Sequence, residues 1–386
     1  MIERKEQKIE DTWDLSLLSA SAEAWEKDLR KLQKAFGKAK SFKGTLGRSS
    51  DDLYAALCYL RDTEKEAERI GSWAFLCYEA DSSDADVQRR YMMYQNAASA
   101  FSEEIAYFSP ELLSIDEERI KSWMKEPRYR EFRVWLRRNL REKEHVLSEK
   151  EELLLSLYTP LAGSAEKAFM DLNNIELDFG EVRGEKLTHG TYSKFLKNRD
   201  GSIREEAYRS YYKAYDSHKN TIADLYIASV NEDIFASRAR HFRSSLERAL
   251  FPDNIPAKVY TSLISAVHEA FPLLHEYYRV KAKALGKETL RHWDVYVPMV
   301  ERPVSCHSYD EAVGIISEAV RPLGEEYRTT LIKGLTDERW VDRYENRGKR
   351  SGAFSAGGYT GNPYILTNYE PEVLDSVFTL IHEGGH

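Results

Sequence analysis

Apolar positions in this 386-residue chain recur mainly at helical spacing. Trp25, Leu29 and Leu32 predict a helix within residues 12–46, after an opening Trp13-Asp14-Leu15. Two longer amphipathic helices are expected from Asp51 to about Phe108, one carrying Leu53, Leu57 and Leu60 on a single face, the next Tyr91, Tyr94, Ala98 and Phe101. Tyr and Trp at this spacing read as core. Ser109-Pro110-Glu111 has the order cap, first-position proline, first-turn acid, so a helix should open there. Ser148-x-x-Glu151 and Ser202-x-x-Glu205 read as capping boxes. Glu205 to about Phe242 forms one long aromatic-rich helical region, Asn254-Ile255-Pro256 interrupts it, and Val259 to Leu285 resumes as helix until Gly286. His268 and His275, two turns apart, are neighbours on a face rather than co-ligands. A further helix is expected from Tyr309 to Leu323.

Extended structure is sparse. Ile175 to Phe179 alternates apolar and polar ahead of Gly180 and Gly184, which predicts a small hairpin, and His292 to Pro298 reads as a β-favouring linker. From Gly348 the texture changes: Ser351 to Asn362 holds four glycines, Gly352, Gly357, Gly358 and Gly361. Pro363 to Thr367 follows as a short strand whose leading proline suggests a sheet edge. No G-K-[ST] follows the glycines, which excludes a P-loop.

The last sixteen residues, Pro371 to His386, carry the chemistry. With Pro371 at the first helical position, Leu374, Phe378, His382 and His386 fall on one i, i+4 row, so two apolar residues would pin the row into a core and two imidazoles would reach one metal ion. Glu383 then points about 100° away from His382. This is H-E-x-x-H, in which two neutral imidazoles bind Zn²⁺ and the carboxylate takes a proton from the water that the metal activates. Gly384 and Gly385 pull the other way, since a glycine pair commonly stops a helix and would carry His386 off the face.

Composition narrows the classes. With 42% apolar and 31% charged residues, a net charge of −8 and a pI near 5.8, the chain reads as soluble and globular, with no basic stripe for nucleic acid. No stretch approaches the roughly 18 apolar residues of a membrane span, and the first residues lack an apolar leader core, so a cytoplasmic protein is expected. Cys58, Cys77 and Cys306 are scattered and read as core filler rather than as a disulfide framework or a thiolate site.

Arg347-Gly-Lys-Arg-Ser-Gly-Ala-Phe-Ser355, Asn362-Pro-Tyr-Ile-Leu-Thr-Asn-Tyr369 and Val377-Phe-Thr-Leu-Ile-His-Glu-Gly-Gly-His386 together resemble the oligoendopeptidase F family, relatives of thimet oligopeptidase among the zinc metallopeptidases. Thr12 to Leu15, Leu147-Ser-x-x-Glu151 and His292 to Pro298 are similar to the same pattern, so the resemblance runs through nearly the whole chain. It implies a mainly α, two-lobed peptidase with a small β-sheet near the zinc helix, hydrolysing short oligopeptides inside a deep cleft. It further implies residues 1–190 as an N-terminal helical region and 191–386 as the start of the catalytic domain. His382 and His386 match zinc ligands and Glu383 the general base. The family's third ligand, a Glu on a later helix, has no counterpart before His386, so the chain is expected to be a truncated portion with little activity of its own. On this reading the Pro363 to Thr367 edge lines the cleft, and a peptide would add to it beside Gly352, Gly357, Gly358, Gly361, Tyr364 and Ile365. The alternative is a helical module that binds peptides without cleaving them.

Overall fold

The computed structural model describes residues 2–159, 161–300 and 306–386. Its first core forms where the apolar spacing predicts helix: α1 (Ala22–Phe36), α2 (Ser50–Ala80) and α3 (Ala85–Glu104). Ser21, Ser49 and Asp84 cap them by accepting backbone N–H groups that would otherwise lack partners. Trp25 is fully buried against Trp73, and its indole N–H donates to the Ile70 carbonyl at 2.8 Å. α4 (Phe108–Ser114), α5 (Glu117–Trp123), α6 (Arg133–Arg141) and α7 (Glu149–Tyr158) extend this region, and its core draws on residues from Trp13 to Leu136, joined by Tyr364 and Leu366 from far along the chain. α4 opens two residues earlier than expected, at Phe108 rather than Pro110, and its Glu111 holds the loop ahead of α2 by accepting from the N–H groups of Gly44 and Leu46. The Ser148–Glu151 capping box forms at α7.

Past α8 (Ser164–Asp171) the chain departs from the alternating pattern. Leu172 to Glu176 winds a π turn, and the hairpin lies further on, as β1 (Glu181–Val182) antiparallel to β2 (Glu185–Lys186). Ile175 to Phe179 therefore contributes no strand. Phe179 is drawn instead into an aromatic cluster, stacked 4.4 Å from Tyr211, while Gly180 and Gly184 supply the positive φ that the turns require. α9 (His189–Leu196) and α10 (Gly201–Ser217) follow, and α10 is capped by Asp200, not by a Ser202 box. His218 breaks the long helical region before α11 (Lys219–Ala239), after which come α12 (Ser245–Leu250) and α13 (Ala257–Ala284). His292 to Asp294 makes a 3₁₀ turn rather than an extended linker, because buried Asp294 is pulled onto Arg204 of α10 at 2.5 Å and onto Lys287 at 3.1 Å.

α14 (Tyr309–Ala319) and α15 (Glu325–Leu335) precede three short strands and a last helix: β3 (Val341–Asp342), β4 (Phe354–Ala356), β5 (Tyr364–Leu366) and α16 (Leu374–Gly385). The sheet order is β3-β5-β4, with β5 parallel to β3 and antiparallel to β4. This overturns the edge assignment for Pro363 to Thr367. Pro363 lies just outside the strand, where its missing N–H costs no ladder bond, and β5 runs through the middle of the sheet. Tyr364 and Leu366 turn into the first core, and Ile365 turns into a second core built by α14, α15 and α16. The edge strands are β3 and β4, and β4 lies inside the glycine-rich segment.

At the start of the sheet the Trp340 indole lies across Gly334 of α15, where an added Cβ would stand 2.1 Å from the ring. Gly334→Ala is expected to lose about 1–3 kcal/mol by forcing the two apart, measured as a fall in denaturant midpoint. An unchanged midpoint would mean that α15 can shift freely there.

The first residues of the chain are stitched to this same sheet. Asp14 N–H donates to Arg339 O at 2.8 Å, Arg343 N–H to Asp11 O at 2.9 Å and Arg347 N–H to Ile2 O at 2.9 Å. Arg4 pairs with Asp342, whose Oδ1 also lies 2.7 Å from Lys349 Nζ, with both side chains of that second pair almost wholly buried. Burial pushes the Asp342 carboxyl up, yet Lys349 and Arg4 outweigh it and hold it below the usual carboxylate range. Cys306 is exposed and Cys58 and Cys77 are partly buried, so core filling describes two of the three cysteines. Among the described residues no helix is long and apolar enough to cross a membrane.

Candidate metal centre

α16 starts three residues after the expected Pro371. Val373 N–H bonds back to Glu370 O, and Glu370 N–H donates to Ser376 Oγ, which winds residues 370–373 into a turn first. The helix is seated by Val377 and Leu380, both buried against the α14 and α15 core. Leu374 and Phe378, expected to pin the histidine row, are instead 43% and 64% exposed. Neither glycine stops the helix, which runs through Gly384 and Gly385. At Gly384 an added Cβ would stand 3.0 Å from Leu331 of α15, so a small residue suits this approach.

The consequence is a shared histidine face. His382 and His386 are exposed, and their Nε2 atoms stand 3.3 Å apart with the rings nearly perpendicular, at 86°. Two bonds of about 2.05 Å rising from nitrogens at that spacing would meet at about 107°, close to the tetrahedral angle of zinc sites. The pair thus fits two positions of a zinc ion. Among the described residues no group of three or more His, Cys, Asp or Glu is placed to hold a metal.

Glu383 points aside from the pair and is half-buried. Its Oε2 accepts from Ser355 Oγ at 2.8 Å, and Ser355 Oγ also lies 2.7 Å from the Glu383 carbonyl oxygen. β4 therefore abuts the helix at the position of the carboxylate. The sequence held no signal for this contact, because the partners are separated by 28 residues and meet only through the strand pairing Ser355↔Ile365.

The remaining candidates scatter. Tyr364 and Ile365 are each 2% exposed, which leaves their side chains no face for a ligand. Gly352 has φ +83 and open space around it, and its carbonyl accepts from Asn368 Nδ2 at 2.9 Å. Gly357 also faces open space. Gly358 lies against α2, where an added Cβ would stand 3.1 Å from the Glu68 carboxylate. At Gly361 a Cβ would stand 2.7 Å from Leu18 and φ is +98, so only glycine seats this turn without strain. Between them Tyr359 is held by its N–H to Glu68 at 3.0 Å and by Lys65 Nζ 3.6 Å from its ring centroid.

Comparison with known proteins converges on one group. The family described as Peptidase family M3 matches residues 194–386, and that described as Oligopeptidase F matches residues 111–179. An oligoendopeptidase F homolog from Borreliella burgdorferi is 39% identical over all of this chain and 65% of its own length. Oligopeptidase PepF of Bacillus subtilis is 35% identical over all of this chain and 58% of its own. The crystal structure of oligoendopeptidase-F from Enterococcus faecium superposes with a TM-score of 0.70 at 27% identity, covering 80% of this chain and 60% of that one. The chain therefore spans less than two thirds of the length of the curated relatives it matches.

Proposed function

The chain belongs to peptidase family M3, and on that premise we propose that it carries the metal-binding helix and one wall of the cleft of a zinc-dependent endopeptidase acting on short oligopeptides. The observation that carries this reading is the His382–His386 pair, with Nε2 atoms 3.3 Å apart and a carboxylate beside them. His382 and His386 would hold the ion. Zinc bound there supplies Lewis acidity toward the scissile carbonyl and makes water more acidic. Glu383, next in sequence and off the ligand row, receives the proton of the attacking water and returns it to the leaving amine. The free edge of β4, rather than β5, offers its main chain to an extended peptide, which binds with little demand on side chains. The division near residue 190 belongs to the same reading and is supported by the two family matches, which fall on either side of it. So does a cytoplasmic location, with no nucleic acid or membrane as partner.

Zinc titration of the purified chain and of His382→Ala tests the metal assignment. The parent should bind one ion and the variant at least tenfold more weakly, since each imidazole contributes directly to affinity. Equal affinity would remove His382 from the site. The second reading is a peptide-binding module without hydrolysis. That reading expects peptide binding to survive His382→Ala in the full-length protein with no turnover in either form.

A further inference from the structure

We infer that Ser355 is a positioning residue for the Glu383 carboxylate, an inference that rests on the reading of Glu383 as the base. β4 has three residues, and strand alternation assigns them to opposite faces. Phe354 and Ala356, paired with Leu366 and Tyr364, pack on the first core. Ser355, paired with Ile365, faces α16. Its hydroxyl has one proton and two acceptors in reach, Oε2 of Glu383 at 2.8 Å and the Glu383 carbonyl oxygen at 2.7 Å. The carbonyl already accepts from His386 N–H at 3.2 Å, and a charged oxygen is the stronger acceptor, so the proton goes to Oε2.

A glutamate side chain has several torsions and, half-exposed on a helix, samples many rotamers. One bond from a sheet residue removes most of them. It fixes one oxygen and leaves the other, Oε1, to exchange a proton with water. Because Ser355 sits on the edge strand that is proposed to bind peptide, the same short element registers both the substrate backbone and the group that acts beside it. A serine serving only as a spacer in the strand would have no need of a hydroxyl. Valine and threonine have nearly the same shape and both suit a strand, so they separate shape from hydrogen bonding.

The test uses the full-length enzyme with a fluorogenic oligopeptide and zinc analysis of each variant. Ser355→Val and Ser355→Ala should lower kcat about tenfold with KM and zinc content unchanged, and Ser355→Thr should recover at least half of the parental kcat. In a Glu383→Gln background, Ser355→Val should cause no further loss, because the group it acts through is gone. The inference fails if kcat is unchanged in Ser355→Val, if threonine and valine behave alike, if the losses multiply in the double variant, or if Ser355→Val loses zinc. Should Glu383→Gln alone keep its turnover, the reading of the base fails, and that outcome is independent of anything Ser355 does.

Discussion

Asp342→Ala should destabilise the fold by about 3–5 kcal/mol, read as a lower denaturant midpoint with an unchanged slope, the loss typical of breaking a buried ion pair from one side. Lys349 would remain almost wholly buried with only the backbone oxygens of Tyr344, at 2.6 Å, and Asp342, at 3.2 Å, to solvate it. Burial already pushes Lys349 below the ordinary lysine range, so the amine can discharge once its carboxylate is gone, which bounds the loss. Arg4 is partly exposed and can turn to water. Adding Lys349→Met should therefore recover part of the stability, since an apolar side chain of similar length needs no counter-charge. A loss under about 1 kcal/mol would show that water reaches the pair. The pH dependence has a definite sign. The folded carboxyl lies below its unfolded value of about 3.9, so its contribution is complete above that value and disappears as pH falls through the folded one. Asp342→Asn should be less stable than the parent at neutral pH and should lose less on acidification below about pH 4.

In the full-length enzyme, Glu383→Gln should keep zinc and lower turnover by about 10² to 10⁴. The amide is nearly isosteric, and residue 383 is not on the ligand row, so the spacing of the two imidazoles should survive. Ser355 can still donate to the amide oxygen. What the variant cannot do is accept a proton from the attacking water, or return one to the leaving amine. Hydrolysis of a fluorogenic oligopeptide beside zinc content decides it. Retention of more than about a tenth of parental turnover at full zinc occupancy would assign the base elsewhere.

Local chemistry made part of this molecule readable. The i, i+4 spacing of His382 and His386 is a property of one helix, and the face survives even though the residues expected to anchor it, Leu374 and Phe378, point outward and Val377 and Leu380 do the seating. The Ser148 box was legible for the same reason. Ser202 misled because Asp200, two residues earlier, is the cap: its carboxylate accepts from the Ser202 N–H and hydroxyl, which places Ser202 inside the helix. The middle position of β5 was not legible at all. Pro363 looks like an edge signal, but what places a strand within a sheet is its partners, and β3 and β4 lie in stretches whose own patterns are too short to announce strands. Ser355 escaped notice for a related reason, since its role depends on strand register.

The stitching of the first residues to the sheet also bears on how the protein is made. Ile2, Arg4, Asp11 and Asp14 find their partners at residues 339–347, so nearly the whole described chain must leave the ribosome before those bonds can close. At typical synthesis rates that is a wait of roughly 20 to 70 s. Throughout it the first core lacks Tyr364 and Leu366, and Trp13, which belongs beside Phe354 and Tyr364, has neither ring to pack on. Residues 2–14 are thus made long before their partners and are among the last to settle onto the sheet that carries Ser355 to the metal helix.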